Sequence, residues 1–277
     1  MKKHRNLSTS TSLSIAEMAK KAAASQAVAD HLRPEHRWVG IGSGSTVVYV
    51  VQEIAKWDKT ITDKMSFVST GDQSRLLIEE SGLRLGALSQ MPKNTNLDVS
   101  FDGADEVDPD LNLIKGGGAC LLQEKVVAVA SQKFICVADY RKTSEGLCTK
   151  WTQGIPVEVL PCAATRVLDE LKRLGSIDPS IRQGGSQKAG PVVTDNSMWI
   201  IDAPFAPLQP HSKRSSASPS STGAWSAETL AERLIAIPGV METGLFTGMV
   251  TKDSTKGSQK PVAVYLGLED GGIKVLS

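Results

Sequence analysis

A chain of 277 residues can bury a sizeable core, either as one large domain or as two modest ones. Its 40% hydrophobic and 22% charged residues are ordinary for a globular enzyme, and a formal net charge of +1 argues against a nucleic-acid partner. No stretch approaches the roughly 18 consecutive apolar residues of a membrane span, so the expected partner is a small molecule and no membrane.

The opening segment, MKKHRNLSTSTSLSIAEMAKK, is basic and hydroxyl-rich, with no acid before Glu17. It reads as a disordered lead-in to a helix and only mildly resembles a transit peptide, because Arg5 is its one arginine. No continuous apolar run follows, against a secretory signal. Residues 14–33 are rich in Ala with Lys and Glu, which predicts a helix stopped by Pro34. RWVGIG (37–42) reads as a buried strand, VVYVVQEIAKW (47–57) as a helix, and MSFVST (65–70) as a strand. DQSRLLIEESG (72–82) is helical with Gly82 as its stop, and LDVSFDG (97–103) is a strand. A helix over 121–131 and a strand over 133–139 follow. Strands alternating with helices predict an α/β fold, a mainly parallel sheet with helices on both faces whose ligands bind at the carboxyl ends of the strands.

After about Trp151 the pattern changes. PVEVLP (156–161), a helix over 162–175, a strand pair or hairpin arm over 192–203, a helix over 226–239 and a last strand VMETGLF (240–246) predict a smaller ferredoxin-like α+β domain. PVAVYLGLEDGGIKVLS holds two strand-like runs split by an Asp-Gly-Gly turn and is expected to return to the first sheet. The expected division is therefore residues 1–150 with 247–277 as the α/β catalytic domain and 151–246 as the smaller one. Residues 206–223 are Pro- and Ser-rich without apolar periodicity and read as a disordered surface insertion. A phosphorylation-regulated segment around Ser215 and Ser216, beside Lys213 and Arg214, is the sharper alternative.

Cys120, Cys136, Cys148 and Cys162 form no C-x-x-C pair and have no His at ligand spacing, so free thiols in a reducing cytoplasm fit better than zinc. The four histidines sit in no motif. Chemistry concentrates instead in three places. Gly40-Ile-Gly42-Ser43-Gly44-Ser45-Thr46 lies between a strand and a helix, where glycines admit an anion to backbone amides and hydroxyls add donors. It matches neither the dinucleotide fingerprint, because position 45 is Ser, nor a Walker loop, because it has no Lys. A tight strand-to-helix turn with capping hydroxyls is its plain structural reading.

Phe101-Asp102-Gly103-Ala104-Asp105-Glu106 follows a strand end, and its two aspartates can accept hydrogen bonds from sugar hydroxyls. A divalent-metal site or a solvated acidic loop are alternatives, given Asp108 and Asp110, although the spacing is not that of an EF-hand. Lys115-Gly116-Gly117-Gly118 then precedes the helix carrying Glu124. Three glycines before a helix suggest close approach to a ligand, and Lys115 can stabilise an enediolate. Glu124 alone could equally be a surface helix residue. Together the three places ask for a phosphorylated polyol and a proton transfer, with no metal and no redox cofactor required.

These residues resemble the A type of ribose-5-phosphate isomerase, from about residue 15 to the C-terminus. FDGADEVDPDLNLIKGGGACLLQEK (101–125) is close to a signature of that family, and KFICVAD, PVEVLP, VVTDN and IPGVMETGLF occur in family order. The resemblance implies an α/β domain bearing a smaller α+β domain and the interconversion of D-ribose 5-phosphate and D-ribulose 5-phosphate through an enediolate. It implies a place in the non-oxidative pentose phosphate pathway, no cofactor, and a homodimer or homotetramer. It places the general base on Glu124, the lysine loop on Lys115 to Gly118 and the hydroxyl-binding carboxylates on Asp102 and Asp105. The phosphate-side loop falls on Ser43, Gly44, Ser45 and Thr46, a substrate-binding lysine on Lys142, and a lysine near the phosphate on Lys20. Ser43 stands where Thr is common, which keeps the hydroxyl. A hexosamine-phosphate deaminase, a coenzyme A transferase or a non-catalytic sugar-phosphate sensor are the rival readings.

Overall fold

The computed structural model describes residues 13–209, 225–248 and 259–277. The basic opening segment up to residue 12 and most of the 206–223 insertion, with Ser215 and Ser216, lie outside them. Helix α1 (Ile15–His31) starts at Ser14, whose hydroxyl accepts from Glu17 N at 3.2 Å, a conventional N-cap. Then β1 (Trp38–Ile41), α2 (Ser45–Ile54), α3 (Lys59–Thr62), β2 (Ser66–Ser69), α4 (Asp72–Glu80) and β3 (Leu85–Gly86) alternate. They lead through β4 (Val99–Asp102), the short pair β5 (Glu106–Val107) and β6 (Leu113–Ile114), and α5 (Leu121–Val129) to β7 (Phe134–Asp139).

A second run comprises β8 (Ile155–Val159), α6 (Ala164–Arg173), β9 (Ser180–Ile181), β10 (Trp199–Ala203), α7 (Ala227–Ile235) and β11 (Val240–Thr243). The chain closes with β12 (Leu245–Phe246), β13 (Ala263–Gly267) and β14 (Ile273–Leu276). The large sheet runs β14-β13-β7-β4-β1-β2-β3, and all its neighbours pair in parallel except β14 on β13. Every residue of β4 and β7 is buried, as a parallel strand covered on both faces requires. Alternation splits β7: Ile135 and Val137 join the core with α1 and α2, while Phe134, Cys136 and Ala138 pack with Ala128 of α5. The tail returns to this sheet as β13 and β14.

The second run forms an antiparallel sheet in the order β11-β8-β10-β9. Its fourth strand lies beside its first, the ferredoxin-like arrangement. Val167 and Leu171 of α6 and Leu230 and Leu234 of α7 pack with Val157 and Ile201 of this sheet. One expectation needs correction. VMETGLF is not a single strand, because it divides at Gly244 between β11 and β12, and β12 pairs with β6 in a separate three-stranded sheet. The reason is a close crossing: Lys115 N donates to Gly244 O at 2.9 Å, and a Cβ on Gly244 would lie 2.2 Å from Lys115 O. Apolar patterning carries no trace of that partner change. Among the described residues, no helix is long and apolar enough to cross a membrane.

Candidate active site

The carboxyl ends of β1 and β4 bring the sequence motifs together. At the end of β1, Gly42 N donates to Phe101 O at 2.8 Å, and a Cβ on Gly42 would sit 1.9 Å from Asp102 Oδ1. Only glycine lets the two strand ends approach so closely. Gly44 follows at φ +102°, a left-handed turn that opens α2 at Ser45. Ser43 Oγ lies 2.9 Å from Thr70 Oγ1, and Gly44 N donates to Gln73 Oε1 at 2.7 Å. From α1, Lys20 Nζ donates to Ser45 Oγ at 2.9 Å and to Glu17 Oε1 at 2.7 Å. Glu17 also accepts from Tyr49 OH at 2.5 Å. Its carboxyl is held below its ordinary value by the Lys20 hydrogen bond first and the Tyr49 bond second.

The floor is one lysine between two carboxylates. Lys115 Nζ lies 2.8 Å from Asp102 Oδ2 and 3.2 Å from Glu124 Oε2, and it donates to Gly103 O at 2.7 Å. Asp102, Lys115 and Glu124 are 4%, 3% and 6% exposed, so the trio is buried. Glu124 Oε2 accepts no hydrogen bond; its contact with Lys115 is an ion pair without hydrogen-bond alignment. Burial pushes the Glu124 carboxyl up to about 8, the Asp102 charge adds to the rise, and Lys115 opposes it. Burial also raises Asp102, against Lys115 and two backbone N–H donors. Burial alone would lower Lys115, but the two carboxylates outweigh it and keep the ammonium charged. A single cation cannot neutralise both acids, so Glu124 is the group that readily holds a proton.

Above the floor, Asp105 Oδ2 accepts from Gly117 N at 2.7 Å and closes the glycine loop. Arg182 Nη1 donates to Gly116 O at 2.9 Å and to Gly117 O at 3.1 Å from the other side. Lys142 Nζ rests 5.8 Å from the centroid of the Trp151 ring. A cavity of about 250 Å³ connects these groups. Of the sequence-predicted residues, Lys20, Ser43, Gly44, Ser45 and Thr46 line its loop side, and Lys142 lines it as well. Gly103, Ala104, Asp105, Lys115, Gly116, Gly118 and Glu124 complete it.

Asp102 and Gly117 do not line the cavity. The sequence pairs Asp102 with Asp105 as hydroxyl acceptors, but the structure separates their surroundings. Both Asp102 oxygens are engaged, Oδ1 by Ser43 N at 3.2 Å and Gly103 N at 2.7 Å, and Oδ2 by Lys115. The reading of Glu124 as a surface helix residue is excluded by its burial. Three lining residues escaped sequence reasoning: Gln73, Cys120 and Arg141. Gln73 and Arg141 each follow a strand's carboxyl end, which was the available sign, and Arg141 pairs with Asp139 at 2.7 Å. Cys120 was legible only as a free thiol, and burial pushes that thiol up to about 11. Among the described residues, no three His, Cys, Asp or Glu side chains gather in a way that could hold a metal ion.

The sequence matches the family model described as ribose 5-phosphate isomerase A (phosphoriboisomerase A) over residues 66–259. The chain is 46% identical to the ribose-5-phosphate isomerase of Lodderomyces elongisporus across 97% of itself and 83% of that protein. It is 47% identical to the enzyme of the same name from Eremothecium gossypii, covering 94% of this chain and 93% of the relative. Among solved structures, it resembles a D-ribose-5-phosphate isomerase in complex with phospho-erythronic acid, with a TM-score of 0.77 and 32% identity over 95% of this chain and 99% of that one. Ribose 5-phosphate isomerase A of Methanocaldococcus jannaschii follows at a TM-score of 0.75 and 30% identity, over 94% and 99% of the two chains. On the family match and these identities, the chain belongs to the ribose 5-phosphate isomerase A family.

Proposed function

We propose that this chain interconverts D-ribose 5-phosphate and D-ribulose 5-phosphate, with Glu124 moving a proton between C2 and C1. The observation that carries the reading is the buried trio: Glu124 Oε2 lies 3.2 Å from Lys115 Nζ and takes no hydrogen bond, and Glu124 and Lys115 line the same cavity as the Ser43–Thr46 loop. The ring-opened sugar places its phosphate at Ser43–Thr46, beside the ammonium group of Lys20, and Lys142 adds a second cation to the cavity lining. Asp105 accepts from substrate hydroxyls on the cavity side. Asp102 holds Lys115 from beneath.

Ionised Glu124 takes the C2 proton, the C–H electrons form the C1=C2 bond, and O1 becomes an oxyanion beside Lys115. The O2 proton then passes to O1, the carbonyl re-forms at C2, and Glu124 returns its proton to C1. No atom or electron is gained or lost. The reading extends to a place in the non-oxidative pentose phosphate pathway, a cytoplasmic homodimer or homotetramer, and the division into 1–150 with 247–277 and 151–246. Light scattering and limited proteolysis test the last two.

A coupled isomerase assay on ribose 5-phosphate, with and without chelator, tests the activity. Glu124→Gln should lose turnover by roughly 10² or more while substrate still binds. Wild-type turnover in that variant, or turnover of a hexosamine phosphate or a coenzyme A ester instead of ribose 5-phosphate, would overturn the assignment. Inhibition by chelator would revive a metal at the aspartate loop.

A further inference from the structure

The VVTDN segment at 192–196 stands outside the cavity, yet it touches both sides of the site. It ends in a tight turn: Ser197 N donates to Thr194 O at 2.9 Å, and Ser197 itself takes φ +61°. The turn is anchored in the antiparallel sheet by Glu158 of β8, which is fully buried. Glu158 Oε1 accepts from Thr194 Oγ1 at 2.8 Å and from Asn196 Nδ2 at 3.0 Å.

From that anchor the turn reaches across to the large sheet. Asn196 Oδ1 accepts from Gln123 Nε2 at 2.9 Å, on the residue before Glu124. Asp195 Oδ2 accepts from Asp72 N at 2.8 Å, at the first residue of α4. Gly71, the N-cap of α4, has no side chain with which to cap, so Asp195 from the turn before β10 does the capping. A Cβ on Gly71 would lie 2.9 Å from Asp195 Oδ2, and the approach is correspondingly tight. The next residue, Gln73, uses its own side chain to hold Gly44 N at 2.7 Å. A short path therefore joins Asp195 to the loop at the end of β1: cap, first turn of α4, Gln73, Gly44.

We propose that Asp195 is a positioning residue for substrate binding, fixing the start of α4 so that Gln73 holds the Ser43–Thr46 loop in its anion-receiving shape. This rests on the reading of that loop as the phosphate site. Asp195 does not line the cavity, and its carboxylate would repel a phosphate rather than attract one. Any support it gives to binding is therefore indirect, and its hydrogen bond to Asp72 N at the start of α4 is the route the geometry offers.

The test compares Asp195→Ala with Asp195→Asn in the full-length protein, with ribose 5-phosphate as substrate and inorganic phosphate as a competitive inhibitor. The asparagine keeps a carbonyl oxygen to accept from Asp72 N and removes only the charge. In the alanine variant KM and the inhibition constant for phosphate should both rise about tenfold, with kcat within about twofold of wild type. The asparagine variant should return both constants to wild-type values or below, and the melting temperatures of the two variants are recorded alongside. An unchanged KM in the alanine variant would overturn the proposal, and so would an asparagine variant as impaired as the alanine one. A parallel fall in kcat and melting temperature with KM unmoved would also overturn it, by marking a purely structural cap. Wild-type protein that does not turn over ribose 5-phosphate would sink the isomerase reading itself, a result distinct from all of these.

Discussion

Lys115 is one cation facing two buried carboxylates, and that imbalance sets the acid–base behaviour of the site. Glu124 must be ionised to act as a base, and burial holds its carboxyl at about 8. The kcat/KM profile should therefore rise with pH through about 8 and level above it. A profile flat from pH 6 to 10 would contradict this. The same burial has a stability consequence of opposite sign. Because Glu124 is raised from 4.5 to about 8, the folded state holds the proton more tightly than the unfolded chain. Its contribution is fully present below 4.5 and is lost as pH rises through about 8. Glu124→Gln carries no charge to desolvate, so it should melt several degrees above wild type at pH 9, with the gap shrinking towards pH 5. Thermal melts at the two pH values check it. At this scale the sequence displayed Glu124, Lys115 and both aspartates inside one signature. It hid the fact that Asp102 faces Lys115 while Asp105 closes the glycine loop, because spacing does not say which way a side chain turns.

Elements with a clear period were legible, and elements without one were not. The strand of β7 and the helix of α5 stood out as apolar runs of the right length. The two-residue strands β5, β6 and β12 have no period to detect, although they carry Lys115 to its place. Glu106 in β5 looked like one more acid in an acidic run. Its buried carboxylate instead accepts from Cys148 N at 2.8 Å, Lys150 N at 2.8 Å and Thr149 Oγ1 at 2.9 Å, and so fixes the loop that leads to Trp151 beneath Lys142. Glu106→Gln should cost about 1.5–3 kcal/mol by urea unfolding, the usual worth of hydrogen bonds to a charged group. Gly42→Ala acts on the strand ends. Its new methyl would overlap Asp102, so we expect about 1–3 kcal/mol of destabilisation and a loss of isomerase activity out of proportion to it. Wild-type activity in that variant would mean β1 and β4 can part without disturbing Lys115.

Across the whole molecule, the alternation of strands and helices announced the parallel sheet, and the Asp-Gly-Gly turn announced the returning tail. Strand order was not readable, since β13, near the end of the chain, lies between β14 and β7, while β1 sits inside the sheet between β4 and β2. Deleting residues 259–277 would uncover the full edge of β7, whose six residues are all buried, and should drive the truncated protein into the insoluble fraction. A soluble, folded truncation would show that β7 tolerates an open edge. The crossing of Lys115 with Gly244 has a kinetic meaning as well. Asp102, Lys115 and Glu124 lie close in sequence, but the lysine's backbone is tied to a residue more than a hundred positions later. Such distant ties form late, after the loop-closure entropy has been overcome. On refolding from denaturant, helical signal should return first and isomerase turnover last, which makes activity a clock for the final docking step.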